Sequence, residues 1–189
     1  YLAKAGFRVF AMDQTGYGAS PRPMMDDPCN VITKQQSLIS LRAGKGECAA
    51  NYPRPLTTIR TDWDEIESVV DHLRRMTRVE RVSLIGWSAG GARVGGYAAL
   101  HPEKVDRVVL YAPSVFGAAQ LPPAPNYAVS LQTRERLEKD RWDTDVRCAG
   151  QLEPGVRDVL WKSIIRWDRV GASWRPEEGV MRVRTATPG

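Results

Sequence analysis

The sequence is short of the residues from which metal centres and proton-transfer sites are usually built. In 189 residues it has two histidines, His72 and His101, and three cysteines, Cys29, Cys48 and Cys148. None of the cysteines stands in a CxxC or zinc-ligand spacing, so no metal site is expected, and no cofactor either. No apolar run approaches the ~20 residues of a membrane-spanning helix, which gives no reason to expect a membrane partner. Blocks of Lys and Arg are also missing. The net charge of +5 is scattered among acids, so we read it as a solvated basic surface and expect no nucleic acid. The first residues do not read as a leader segment either. Tyr1-Leu2-Ala3-Lys4-Ala5-Gly6 reads as the end of a helix closed by glycine. The chain is therefore expected to start inside a domain, and its compartment, cytoplasmic or secreted, stays open.

What is present suits a soluble globular fold. A hydrophobic fraction of 42% over this length is enough for a substantial core. Residues 19–56 carry Pro21, Pro23, Pro28, Pro53 and Pro55 with little periodicity. They read as a long surface loop, and loops of that length are uncommon unless functional. Cys29 and Cys48 both fall in it. They are either a disulfide, worth about 3 kcal/mol in loop entropy, or two unpaired thiols. Residues 57–77 are the clearest helix: Ile59, Trp63, Ile66, Val70 and Leu73 form one apolar stripe. Its early acids Asp62, Asp64, Glu65 and Glu67 suit the helix dipole and read as solvated.

Residues 82–91 hold the most specific signal. Val82, Leu84 and Ile85 make a short apolar strand, and Gly86-Trp87-Ser88-Ala89-Gly90 follows. This is Gly-x-Ser-x-Gly between a strand and a helix of small residues. The sharp turn would lift Ser88 above the sheet, with Gly86 and Gly90 keeping strand and helix from colliding. Ser88 is the candidate nucleophile. The Ala89 N–H at the helix start is the candidate oxyanion donor, and Trp87 is a candidate substrate contact. Gly95 and Gly96, inside the helix expected from Ala89 to about Leu100, read as packing positions. Val105–Tyr111 is expected as the next strand, so strands and helices alternate in the manner of a parallel, doubly wound sheet.

Here the chain resembles the α/β-hydrolase superfamily, and a second run supports the likeness. Phe7–Met12 reads as a strand, followed by Asp13-Gln14-Thr15-Gly16-Tyr17-Gly18-Ala19-Ser20. That run is similar to the Asp-x-x-Gly-x-Gly-x-Ser of cap-bearing members. It implies turns at Gly16 and Gly18 and a structural Asp13. The resemblance implies an α/β fold: a partial doubly wound parallel sheet of the α/β-hydrolase type with the start of a helical cap. Residues 1–112 would be core, with the loop at 19–56 and the elbow at 86–90. Residues 113–180 would be the cap insertion, and 181–189 a return toward the core. Within the cap, Leu121-Pro122-Pro123-Ala124-Pro125 reads as a stiff linker. Helices are expected at about 133–142 and 154–167, the second with Val156, Val159, Leu160, Ile164 and Trp167 on its apolar side. Trp142, Trp161, Trp167 and Trp174 suit either packing or the underside of a cap.

The resemblance also implies a serine hydrolase, acting on an ester or amide through an acyl-enzyme, with small apolar esters or short peptides as substrates. Carboxylesterases and proline-iminopeptidase-like enzymes are similar members. Such chemistry needs a base and an orienting carboxylate. Both histidines fall toward the C-terminal ends of crossover helices, whereas the catalytic edge lies at the carboxyl ends of strands. Neither is expected to be the base. The acid and the histidine are then expected beyond residue 189, and the other oxyanion donor before residue 1. On that reading the chain is an internal piece of a longer hydrolase and is inactive by itself. The alternatives are a non-catalytic binding protein on the same fold and a plain α/β domain with a chance match.

Overall fold

The computed structural model describes residues 1–39, 47–114 and 123–187. The linker expected at 121–125 begins outside them, as does the middle of the 19–56 stretch. The elements in chain order are α1 (Thr33–Gln36), β1 (Thr57–Thr58), α2 (Ile59–Thr77), β2 (Val82–Trp87), α3 (Ala89–Leu100), β3 (Val105–Tyr111), β4 (Val129–Gln132), α4 (Arg134–Leu137), α5 (Asp143–Asp145), α6 (Val156–Arg166), α7 (Arg169–Trp174), β5 (Met181–Arg184) and β6 (Ala186–Thr187). Between α4 and α5 the helix continues in π geometry over Glu138–Trp142. Two compact units divide the described chain: Tyr1–Gln14 with Thr57–Pro123, and Thr15–Leu56 with Ala124–Thr187.

The first unit is an α/β arrangement. Thr58 caps α2 in a reciprocal box, its side chain accepting from Thr61 N while Thr61 returns the bond. The apolar stripe of α2 then does what its spacing requires. Ile66 and Val70 are buried with Tyr97 and Val105, and Trp63, Val82, Leu84 and Ala98 pack around them. β2 and β3 pair in parallel, from Val82↔Val105 to Trp87↔Tyr111, and α3 is the crossover between them. Gly96 sets the approach of α2 to α3, because a Cβ there would meet Trp63 Cε2 at 2.7 Å. Gly95 faces only an ordinary contact with Leu110.

Two expectations fail in this unit. Phe7–Met12 is not a strand: no described strand pairs with it, and Phe7 and Phe10 are exposed. Extended backbone becomes a strand only when a neighbour takes its hydrogen bonds. The early acids of α2 are not all solvated either. Asp62 is fully buried and accepts from Arg93 Nε at 2.6 Å, so it joins α2 to α3.

The second unit is held by residues distant in sequence. β4 and β5 form an antiparallel pair, from Val129↔Arg184 to Gln132↔Met181. Its core joins Met25, Val31 and Ile39 to Ala128, Val129, Leu131 and Val180. The stretch read as a surface loop therefore contributes buried side chains. Two buried glutamines explain how an irregular segment can be interior. Gln35 Nε2 donates to Leu131 O at 3.1 Å and its Oε1 accepts from Leu131 N at 2.7 Å. Gln36 accepts from Cys48 N at 2.9 Å and donates to Cys48 O and Val31 O at 3.0 and 3.1 Å. Cys29 and Cys48 are joined as a disulfide; Cys148 is free and exposed.

The face of α6 differs from the sequence reading. Val159 and Trp167 are exposed, and Val156 and Leu160 lie partly in solvent. Trp161 is the buried residue, and its Nε1 donates to Glu178 O at 2.8 Å. A short helix on a small unit follows the one side chain that satisfies both area and hydrogen bonding. Methyl periodicity did not reveal that. Val180–Arg184, expected to lead toward a later core strand, instead supplies β5 to this unit.

Candidate active site

The Gly-x-Ser-x-Gly run lies on the turn from β2 into α3. Ser88 has φ 51° and ψ −122°, a left-handed conformation that costs a non-glycine residue about 1–3 kcal/mol. Three backbone bonds hold it there. Ser88 N donates to Tyr111 O at 3.0 Å, and Ser88 O accepts from Gly91 N at 2.9 Å and Ser114 N at 3.0 Å. Gly86 makes the turn possible: a Cβ on it would fall 2.5 Å from Val94 Cγ2 and against the Gly90 carbonyl. Gly90, read as the second position barred to side chains, is not one, since nothing lies near a Cβ there. Its neighbour Gly91 is, with Pro113 Cβ at 2.5 Å.

Ser88 is half-buried. Its Oγ lies 3.3 Å from Ser114 Oγ, and either hydroxyl can donate. Sequence reasoning missed Ser114. The available signal was its place just after the carboxyl end of β3, beside the elbow strand. Ala112, at φ 43°, turns the chain there. Ala89 is the first residue of α3, so no carbonyl of its own helix faces its N–H. That N–H, the helix dipole and the Ser88 hydroxyl share one end of the sheet. Trp87 is exposed, as an edge contact for a ligand would be.

Behind the elbow, Arg93 links the site to the scaffold. Its Nη1 donates to Ala89 O at 2.8 Å while its Nε is paired with buried Asp62. The first turn of α3 is thus tied to α2.

Neither histidine joins Ser88. His101 closes the far end of α3, about 18 Å away by the rise of a 12-residue helix. There it stacks on Tyr97 at 4.8 Å and lies 3.9 Å from Glu67 and 3.6 Å from Glu103. His72 sits near the C-terminal end of α2, the end that leads into the start of β2. Beside His101 is a charged cluster: Lys104 donates to Glu67 and to Asp71, and the Tyr97 hydroxyl donates to Glu67. Burial alone would raise the Glu67 pKa, but the bonds from Lys104 and Tyr97 outweigh it and hold the carboxyl below its ordinary value. The Lys104 bond likewise lowers Asp71, and the same carboxylates raise Lys104. Burial, then Glu67, pushes the Tyr97 phenol up. No group of three or more His, Cys, Asp or Glu able to hold a metal occurs among the described residues.

Residues 1–149 match the family model for the alpha/beta hydrolase fold. Among curated proteins, the chain is 28% identical over 127 residues to a 2-hydroxy-6-oxo-6-phenylhexa-2,4-dienoate hydrolase of Comamonas testosteroni. It is 27% identical over 127 residues to a protein of the same description from Burkholderia cepacia. Each match covers 67% of this chain and 33% of the relative, so the chain aligns with about a third of the relatives' length. No solved structure matches the chain significantly.

Proposed function

The chain belongs to the α/β-hydrolase fold family, and from that premise we propose that it carries the nucleophile of a serine hydrolase. The observation that carries this reading is the strained Ser88 on a tight strand-to-helix turn. Strain of that kind persists where a side chain must be presented in one direction. In the proposed reaction Ser88 Oγ attacks a carbonyl carbon while its proton passes to a general base. The oxygen that gains charge is met by the Ala89 N–H at the positive end of α3. Collapse of the tetrahedral species expels the leaving group and leaves an acyl group on Ser88, which water then removes. With His72 and His101 at the far end of the unit, the base and its carboxylate come in this proposal from outside these 189 residues. The chain alone is then without turnover.

Esters or amides of small molecules are the substrate class that this chemistry accommodates most directly. A second class is favoured by the relatives, whose names specify a 6-oxo dienoate: the same oxygen attacks the ketone carbon, the carbon–carbon bond from it to the dienoate breaks, and the conjugated fragment keeps the electron pair and takes up a proton. Ser114, 3.3 Å from Ser88 Oγ, is positioned to hold that hydroxyl before it attacks.

The test is active-site labelling of the complete protein with a fluorophosphonate. Labelling of wild type and none of Ser88→Ala is the expected result. Equal labelling of both would remove Ser88 from the role, and labelling of neither would favour a binding protein on this fold.

A further inference from the structure

The second unit contains a cavity of about 540 Å³ that is lined unusually by arginine. Four line it: Arg22, Arg166, Arg169 and Arg182. They are not equivalent. Arg182 is buried and fully engaged: its Nε and Nη2 bond Asp168 Oδ1 at 2.8 and 2.6 Å, and its Nη1 bonds Asp26 Oδ1 at 2.5 Å and Met25 O at 2.9 Å. Its charge is matched inside the protein, and it serves to build the wall. The other three have no acidic partner among the described residues. Arg166 ends α6 and Arg169 begins α7, so a tight turn projects both into the same space. Neither makes a side-chain hydrogen bond or ion pair with any described residue. Arg22 is held by one bond, Nη2 to Trp167 O at 2.7 Å. Its Nε is shielded from solvent and has no hydrogen-bond partner among the described residues.

An arginine N–H that has lost its water and found no acceptor is destabilising. Three unmatched guanidinium groups in one concavity repel each other as well. Both costs vanish if an oxyanion enters, because each planar fork can then donate to it. The rest of the wall suits a small molecule. Gly18 also lines it, the one carboxylate on the wall, Asp26, is engaged by Arg182, and the exposed Trp167 ring offers a flat apolar side. From this arrangement we infer that the cavity is a binding site for a small-molecule oxyanion, a phosphate or a carboxylate, gripped by Arg22, Arg166 and Arg169. Every residue named here belongs to the second unit.

Calorimetric titration of the complete protein at constant ionic strength, with inorganic phosphate in one series and benzoate in another, tests it. Saturable 1:1 binding of at least one anion is expected, weakened tenfold or more in the Arg166→Gln/Arg169→Gln double variant. Both side chains are exposed, so the circular dichroism of that variant should be unchanged. Arg22→Lys, which keeps the charge but removes the Nε donor, should weaken binding several-fold and serves if the double variant does not fold. Preference for phosphate or for benzoate tells which anion the site takes. Absence of saturable binding by either anion, or binding unaltered in both variants, overturns the proposal.

Discussion

Ser88 carries a local backbone cost in the first unit, and that cost can be measured. Its left-handed backbone suits glycine better than any other residue. Ser88→Gly is therefore expected to raise thermal stability by about 1 kcal/mol while abolishing fluorophosphonate labelling. A stability gain together with lost reactivity separates a presented nucleophile from a serine retained for packing. The elbow glycines divide in the same way. Gly86→Ala drives a methyl against Val94 and the Gly90 carbonyl and should cost about 2–4 kcal/mol in chemical denaturation. Gly90→Ala, with open space, should lie within about 1 kcal/mol of wild type or above it. The position of the elbow was legible in the sequence because its signal is local: a short apolar strand, two glycines and small residues. Ser114 was not legible. Its place beside Ser88 Oγ depends on strand pairing and on the positive φ of Ala112, neither of which leaves a local motif.

Among the elements, α2, β2, α3 and β3 were readable for one shared reason. Each announces itself by periodicity or by flanking glycines, and each packs on a partner with no more than one element between them along the chain. Phe7–Met12 has equally strong strand composition and forms none, because composition cannot supply a hydrogen-bonding neighbour. The acids of α2 show a different limit. Asp62 looks identical to Asp64 in sequence, yet only its partner on α3, Arg93, decides that it is buried. That pair gives a test at this scale. Asp62→Asn leaves the Arg93 charge partly buried and unmatched, and should cost about 3 kcal/mol. The Asp62→Asn/Arg93→Met double variant should recover part of the loss. Because Arg93 also holds the Ala89 carbonyl, the single variant should slow fluorophosphonate labelling as well.

Across each unit taken whole, charge and connectivity set the behaviour. Glu67 and Asp71 have lowered pKa values in the folded state, so they contribute stability that is present above their unfolded values and lost as pH falls through the folded ones. Lys104 is raised, so its contribution holds below its unfolded value and disappears as pH rises through the folded one. Thermal melting of the first unit should therefore be flat near neutrality and fall below the ordinary carboxylate range. Lys104→Met should flatten the acid side of the profile. An acid limb equally steep in that variant would remove the cluster as its cause. No helix among the described residues is long and apolar enough to cross a membrane.

The second unit is assembled from two stretches of chain with most of the first unit lying between them, and this has a consequence during synthesis. Met25, Val31 and Ile39 leave the ribosome long before Val129, Leu131 and Val180 exist to cover them. At roughly 5–20 residues per second the delay from residue 56 to residue 184 is about 6–26 s. Residues 57–123 can complete their own unit in that interval, while the earlier segment waits with its apolar side chains exposed. The Cys29–Cys48 link and the Gln36 bonds lie wholly within the waiting segment. They can shape it before its partner arrives.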